Sequence, residues 1–230
     1  WSRGMSSRRA LRALTWPTAL AAALAGSGAC STSEPGPDAS GARLAARPGA
    51  PTGTIDTGLT PLVGASGVQY GLLYVPPGYD PVRPRPLVLA LHGAGGTADG
   101  PINLLRSYAD ADTFLVLAID SRGNTWDAIL GAYGNDVAVI DYYLAWVFDH
   151  CAVAADRVYI EGFSDGATYA LGLGLNNGDL FHRAIAFSPG FLPPYDLQGT
   201  PAVFISHGRQ DSVLPIDQTS RRIVPELRGR

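Results

Sequence analysis

Six short apolar runs recur from about Ile55 onward, and amphipathic stretches separate them. Several runs are apolar on both alternating faces, which is typical of strands covered by helices on both sides. This alternation predicts an α/β fold with a mostly parallel sheet and helices on both of its faces. The runs are YGLLYVP, PLVLALHG, FLVLAIDS, RVYIEGFS, RAIAFSPG and AVFISHG.

Helical periodicity is clearest between the third and fourth runs. Asn135 stands just before that stretch and is predicted to be its N-cap. A further helix is predicted over residues 217–227. The apolar positions at helical spacing are Val137, Ile140, Leu144 and Val147.

The N-terminal region differs from the rest in composition. Residues 1–4 are interpreted as upstream read-through, and residues 5–29 as an export signal with a basic start. The apolar part of that signal, Leu14 to Leu24, is too short to span a bilayer. Residues 30–54 are rich in Gly, Pro, Ser and Ala and are predicted to be a flexible linker. Residues 55–230 are predicted to form the folded domain.

Cys30 is a candidate for lipidation. Cleavage after Ala29 would make Cys30 the first residue, followed by the polar run STSEPGPDASG. This arrangement resembles a bacterial lipoprotein, in which the cysteine is acylated and the polar run is a tether. Ser27 stands where such proteins usually carry an aliphatic residue, so plain secretion is the alternative. We expect an exported protein, either extracellular or anchored to a bacterial membrane through Cys30.

Charge and cysteine content exclude several classes of function. All 17 basic residues are arginine, they face 20 acidic residues, and four of the arginines lie in the first dozen positions. The remaining chain is therefore acidic, and we expect no nucleic-acid partner. The two cysteines, Cys30 and Cys151, are too few for a disulfide scaffold or a cysteine-built zinc site.

Ser164 is the candidate nucleophile. The run RVYIE leads directly into Gly162-Phe163-Ser164-Asp165-Gly166, and a helix is predicted over the following ATYALGL. A sharp turn between strand and helix would project the serine above the sheet, where glycines on both sides leave room. The alternative is a tight turn with an ordinary serine.

Two further segments offer groups that acyl transfer requires. The run PLVLAL ends in His92-Gly93-Ala94-Gly95-Gly96, a loop predicted to donate one oxyanion N–H from Ala94 or Gly95, beside the N–H of Asp165. A simple chain reversal is the alternative for that loop. Asp211 follows the run AVFIS, at the edge where such sheets hold their sites. It is predicted to orient a histidine, and a loop-capping aspartate is the alternative.

The segments LHGAGG, YIEGFSDGA and ISHGRQDSVLP together resemble the α/β-hydrolase superfamily. They are most similar to secreted carboxylesterases of the phospholipase/carboxylesterase and polyhydroxybutyrate-depolymerase type, and the resemblance covers about Thr54 to Arg230. It implies chemistry that needs no metal or organic cofactor. Asp165 departs from the relatives, which often carry an apolar residue there.

The segment SRGNTWD resembles the loop that borders the acyl pocket of these esterases. Trp126 is therefore a candidate pocket wall. An exposed loop aromatic and a core anchor are its alternatives.

The base that should activate Ser164 is missing from its expected place. The order Ser…Asp…His places it after Asp211, where no histidine follows. We therefore expect a C-terminally truncated chain that lacks its last strand and is inactive as it stands. The existing histidines are weaker candidates, and His92 resembles the buried structural histidine of the oxyanion turn. The other three are His150, His182 and His207.

The leading hypothesis is that the full-length product is a serine hydrolase. It would cleave small-molecule or polymeric carboxylic esters through an acyl-enzyme on Ser164. A serine peptidase or an acyltransferase on the same fold is the first alternative. The fold and the nucleophile do not determine which group leaves the substrate or which molecule accepts the acyl group. A non-catalytic binding protein without the catalytic histidine is the second.

Overall fold

The computed structural model describes residues 39–229. The read-through segment 1–4, the export signal 5–29 and the lipidation site Cys30 lie outside these residues, and they stay predictions.

A seven-stranded mixed sheet forms the centre of the protein, with strand order β1-β2-β4-β3-β5-β6-β7. The first two strands run antiparallel to their neighbours, and the others pair in parallel. This confirms the predicted α/β fold with its mostly parallel sheet. The strands are β1 (Gly58–Val63), β2 (Gln69–Val75), β3 (Arg85–Leu91), β4 (Leu115–Ile119), β5 (Val153–Phe163), β6 (Arg183–Phe187) and β7 (Ala202–Ser206).

In the part of the chain that the structure describes, four α-helices flank the sheet. They are α1 (Asp99–Asp112), α2 (Asn135–His150), α3 (Asp165–Asn176) and α4 (Ser220–Arg228), and a short 3₁₀ turn spans Asp127–Leu130. Within residues 39–229, none of the helices is long and apolar enough to cross a membrane.

The helices cover the two faces of the sheet unequally. On one face, α2 and α3 bury aliphatic residues such as Ile140 and Leu173 against Leu89 and Ile160 of the central strands. Ile223 of α4 joins a smaller cluster on α3. On the opposite face, α1 covers only the half of the sheet that carries β2, β3 and β4. In the described part of the chain no helix covers β5, β6 and β7 on that face, where their side chains are exposed or half-buried apart from the buried Glu161.

Three phenylalanines mark the open part of the sheet. Phe163, Phe187 and Phe204 are 58%, 38% and 56% exposed. The rings of Phe187 and Phe204 contact each other edge to face, with centroids 6.3 Å apart. Exposed aromatic side chains at this density are typical of a surface that another element or molecule covers.

Two helix boundaries differ from the sequence predictions. Asn135 is the first residue of α2 rather than its N-cap; Gly134 takes that position, and the Asp127 carboxylate accepts from the N–H of Asp136 in the first turn. The last helix begins at Ser220, whereas residues 217–219 form turns. Strand β1 was not predicted, because only Leu62 in it is buried and Pro61 interrupts its apolar pattern.

The described part of the predicted linker is bound to the domain. Alternate residues of this segment, Ala42, Leu44 and Ala46, are buried against the α2 and α3 face. Arg43 and Arg47 both pair with Asp179, which holds the pKa of that carboxyl well below its usual range. The prediction of a flexible linker is therefore wrong for residues 39–54, where the chain forms a strap along the helices. Its composition, rich in Ala, Gly and Pro, concealed this, because only every second residue from 42 to 46 is buried and no apolar run is visible.

Candidate active site

Ser164 occupies a strained turn between β5 and α3. Its backbone has φ 56° and ψ −121°, a conformation that residues other than glycine rarely adopt. The Ser164 N–H donates to the carbonyl of Phe187 (2.9 Å), and its carbonyl accepts from the N–H of Thr168 (3.0 Å). The turn is thus held by β6 on one side and by α3 on the other. Strain of this kind persists only where the surroundings over-determine it, and it is common at active sites.

Close backbone packing explains the two glycines of the turn. A Cβ on Gly166 would lie 2.3 Å from the carbonyl oxygen of Leu91, and one on Gly162 would lie 2.3 Å from the carbonyl carbon of Gly166. The turn is therefore pressed against the end of β3. A Cβ on Gly93 would lie 3.3 Å from the Cβ of Ser164. The structure thus brings the Gly-rich loop and Ser164 together, as the sequence predicted.

Two of the predicted oxyanion donors, Gly95 of the Gly-rich loop and Asp165 of α3, differ in what their N–H groups bind. Gly95 has φ +68°, and its N–H donates to the carbonyl of Asn124 over 2.7 Å. The Gly95 N–H is therefore already hydrogen-bonded within the protein. Asp165 is the first residue of α3, so its N–H has no acceptor within the helix.

Trp126 is a core anchor and not a pocket wall. Its side chain is fully buried, and its indole N–H donates to the carbonyl of His92 over 2.8 Å. Its ring lies between the rings of His92 and Tyr169, at centroid distances of 4.9 and 5.1 Å. The tryptophan therefore supports the Gly-rich loop from beneath, and the pocket-wall interpretation is wrong.

Two aspartates close the loop that follows Trp126. The N–H of Asp127 donates to the Asp136 carboxylate (2.7 Å), and the N–H of Asp136 donates to the Asp127 carboxylate (2.8 Å). Asp136 also accepts from the N–H of Arg122 at 2.6 Å. Burial raises the pKa of Asp136, although these backbone bonds oppose the shift. The reciprocal bonds therefore join the two ends of the segment from Asp127 to Asp136.

Asp211 is held as a carboxylate beyond the end of β7. It accepts from the N–H groups of Leu214 (2.9 Å) and Val213 (3.0 Å), and bonding from Leu214 is the largest cause of its lowered pKa. A hydrogen bond with the Ser188 side chain acts in the same direction. Ser188 follows Phe187, whose carbonyl binds Ser164, so β6 links the carboxylate to the nucleophile turn.

Two of the four histidines lie at the wrong edge of the sheet. His150 precedes β5 and His182 precedes β6, whereas Ser164 follows β5. Because β5 and β6 are parallel, both histidines lie at the edge opposite the serine.

The other two histidines use their ring nitrogens elsewhere. His92 is buried; its Nδ1 lies 2.7 Å from the Gly93 carbonyl, and its Nε2 accepts from the Ser121 N–H at 3.0 Å. His207 has Nδ1 at 2.7 Å from Ser220 Oγ and Nε2 at 2.7 Å from the carbonyl of Leu214. The described residues therefore bring no histidine into a hydrogen bond with Ser164.

An apolar groove of about 910 Å³ lies beneath the site, between α1 and the open strands. Leu104 and Tyr108 of α1 line it opposite Phe163 and Phe187. Glu161 is 94% buried in its floor, since only 6% of the residue is exposed. Burial raises the pKa of Glu161 to about 7. Among residues 39–229, no basic side chain forms an ion pair with it.

Metal-binding geometry is not found in the described range. Between residues 39 and 229, no three side chains of His, Cys, Asp or Glu converge closely enough to hold an ion.

Known proteins share this architecture. Over 161 residues, 66% of this chain, it is 29% identical to feruloyl esterase C of Emericella nidulans. The acetyl xylan esterase of Aspergillus awamori superposes with a TM-score of 0.61 at 17% identity, over 74% of this chain and 79% of that one. A ferulic acid esterase of Anaeromyces mucronatus, solved with ferulic acid, superposes with a TM-score of 0.52 at 19% identity, over 74% and 79%.

The chain therefore has the α/β-hydrolase fold of these esterases. This confirms the resemblance carried by LHGAGG, YIEGFSDGA and ISHGRQDSVLP. No family model matches the chain. The match covers 58% of the length of the Emericella protein, so this chain spans under two thirds of that relative.

Several residues of the site were not singled out individually from the sequence. Asn124 binds Gly95 of the Gly-rich loop, Thr125 binds Asp165 beside Ser164, and Ser188 binds Asp211. A serine directly after a strand, as in RAIAFS, could have indicated Ser188. Nothing in the sequence indicates the buried carboxyl of Glu161, because a single charge in an apolar run is equally compatible with an exposed position.

Proposed function

We propose that the full-length protein is a serine hydrolase of carboxylic esters. The observation that carries this proposal is the strained backbone of Ser164, at the end of β5 and at the N-terminus of α3. The helix dipole and its free N–H groups favour negative charge at this point. The esterases support the proposal, since the Aspergillus enzyme shares the fold and the Emericella relative is 29% identical over 161 aligned residues.

In the proposed reaction, Ser164 Oγ forms a bond to the ester carbonyl carbon and loses its proton to a base. The carbonyl oxygen becomes an oxyanion that accepts hydrogen bonds from the N–H groups of Asp165 and Ala94. Ala94 is preferred to Gly95 because the Gly95 N–H already donates to Asn124. The base returns the proton to the departing alcohol. Water then cleaves the acyl-enzyme by the same steps in reverse order.

We propose that a residue outside these 230 positions supplies the base, oriented by Asp211. Two observations support this. The four histidines are bound elsewhere or lie at the opposite edge of the sheet. The open aromatic surface on β5 to β7 also offers room for a further element of the same fold.

Hydroxycinnamate esters are the first substrate class to test. The Emericella relative is named a feruloyl esterase, and a structural neighbour was solved with ferulic acid. Acetyl esters of polysaccharides are the second class, because another neighbour is an acetyl xylan esterase.

The test is turnover by the protein extended to its natural stop codon. Methyl ferulate and 4-nitrophenyl acetate should be hydrolysed, and Ser164→Ala should abolish the activity. A peptide anilide should be cleaved far more slowly, if at all. Anilide cleavage as fast as ester cleavage would favour the peptidase alternative, and equal rates for the natural protein and Ser164→Ala would refute the serine mechanism.

A binding protein is the second candidate, and the histidine positions favour it for the chain as given. It predicts no burst of product in single-turnover experiments. Ferulate would still shift the melting temperature, because a ligand that binds the folded state stabilises it.

Export and lipidation are proposed from the N-terminal sequence. The mature protein should lack residues 1–29, and an acylated form should carry its lipid on Cys30. Mass spectrometry of the protein purified from its membrane and culture fractions distinguishes lipidation from plain secretion.

A further inference from the structure

Asp165, the residue after the candidate nucleophile, is held by a hydrogen bond to its side chain. Its carboxylate accepts a hydrogen bond from the Thr125 hydroxyl, with Oγ1 and Oδ2 2.5 Å apart. Hydrogen bonds to an ionised acceptor are shorter and stronger than neutral ones. This bond joins the start of α3 to the loop of residues 121–126, which follows β4.

The 121–126 loop also binds the opposite side of the site. Its Asn124 carbonyl accepts from the Gly95 N–H (2.7 Å), and its Trp126 indole donates to the His92 carbonyl (2.8 Å). One short loop therefore contacts both segments from which the oxyanion donors are proposed to come. The reciprocal bonds of Asp127 with Asp136 close the chain just behind the loop.

We infer that Thr125 and Asp165 are positioning residues for the oxyanion hole. Their hydrogen bond holds the Asp165 N–H at a fixed distance from the Ala94 N–H, with the 121–126 loop as the spacer. The inference rests on the proposed function, since it assigns these two N–H groups to the oxyanion. Donors to an oxyanion must lie about 2.7–3.1 Å from it, so small displacements weaken the stabilisation.

A favourable interaction of the Asp165 carboxylate with the dipole of α3 would not require Thr125. A carboxylate in the first turn of a helix interacts favourably with the dipole wherever it points. What the geometry adds is a specific partner on a second loop. Changing only the hydroxyl of Thr125 therefore separates positioning from the charge effect.

The first experiment uses the full-length enzyme and steady-state ester hydrolysis. Thr125→Val keeps the size of the side chain and should lower kcat by about 10- to 100-fold, because oxyanion stabilisation acts in the transition state. KM should change by less than about threefold. Thr125→Ser retains the hydroxyl and should recover most of the lost rate.

The matched control is Thr52→Val. Thr52 also donates to an aspartate, Asp149, over 2.5 Å, but at the end of α2 and on the strap. This variant should leave kcat unchanged. A loss of melting temperature equal in Thr125→Val and Thr52→Val, without a difference in kcat, would show a merely structural role and overturn the inference.

The second experiment uses the 230-residue chain and does not depend on activity. Amide hydrogen exchange should accelerate in residues 93–96 and 163–168 of Thr125→Val, and stay unchanged there in Thr52→Val. Unchanged exchange at residues 93–96 would overturn the coupling even if the enzyme is active. Equal inactivity of the natural protein and Ser164→Ala would instead refute the proposed function, and exchange alone would then decide whether the loop couples the two segments.

Discussion

The imidazole Nε2 of His207 lies 3.4 Å from the carboxylate of Asp211, yet this pair is not arranged as a catalytic one. The His207 ring is 1% exposed and is bound to Ser220 of α4 and to the carbonyl of Leu214. It therefore connects the end of β7 to the last helix. The other carboxylate oxygen of Asp211 accepts from the N–H groups of Val213 and Leu214. His207 therefore has a structural role in this region.

Replacing His207 should reduce stability and leave catalysis almost intact. His207→Asn loses the bonds to Ser220 and Leu214, so we expect the free energy of unfolding to fall by about 1–3 kcal/mol. Ester hydrolysis by the full-length variant should stay within about tenfold of the natural rate, because a catalytic base would cost far more. Urea denaturation and steady-state kinetics measure the two effects. His182→Asn, at an exposed position, is the control and should change neither.

Gly166→Ala should disrupt the turn that carries Ser164. The added Cβ would lie 2.3 Å from the Leu91 carbonyl and 2.5 Å from that of His92, so the helix start must move. Overpacking of this kind costs about 1–3 kcal/mol of unfolding free energy. Gly100→Ala is the control, because no atom lies within 4 Å of its Cβ and alanine favours a helix. A Gly166→Ala protein as stable as Gly100→Ala would contradict the packing described for the turn.

Glu161 should make stability fall as pH rises. Its pKa is raised from 4.5 to about 7 in the folded state, so the folded chain holds the proton more tightly than the unfolded chain. The contribution is complete below about pH 4.5 and is lost as pH rises through about 7. Glu161→Gln should therefore be more stable than the natural chain at pH 8, by about 1–3 kcal/mol, and equal to it near pH 4.

Chemical denaturation of the 230-residue chain across this pH range measures the effect. Asp156→Asn, at a side chain 82% exposed, is the control. If the free energies of unfolding of the natural chain and Glu161→Gln change in parallel with pH, burial in the groove does not raise the pKa of the Glu161 carboxyl.

Cys151 should be unreactive in the native protein. Its thiol is buried, and burial raises its pKa to about 12, so almost no thiolate forms at pH 8. In a Cys30→Ser background, Ellman's reagent should titrate no thiol until denaturant is added, and one thiol afterwards. Rapid labelling of the folded protein would mean that the α2 to β5 connection opens readily.

Strand positions were predictable because each strand from β2 to β7 is a short apolar run in the sequence, even β7, most of whose residues are exposed. All six apolar runs became strands, from β2 to β7. Strand order was not predictable, since the neighbours of β3 depend on which crossovers pack best.

The strap at Ala42 to Ala46 was misread because its alternating small residues bury little area each. Trp126 was misassigned for a related reason: a loop sequence does not reveal whether an aromatic side chain points into the core or into a pocket.

Site features that depend on neighbouring residues in the sequence were predictable. Hydrogen bonds between residues far apart in the chain were not. Glycines at 162 and 166 indicated the turn at Ser164, and the structure gives both a steric reason. The occupation of the Gly95 N–H by Asn124 joins residues that are far apart in the chain. The same holds for Thr125 and Asp165.

The most direct test of the account is the intact mass of the full-length protein after reaction with an ester. An activated ferulate ester, quenched in acid within the first turnovers, should add one feruloyl group, and peptide mapping should place it on Ser164. Ser164→Ala should carry no added mass. A full-length protein that hydrolyses the ester and never carries the acyl group on Ser164 would contradict the central claim.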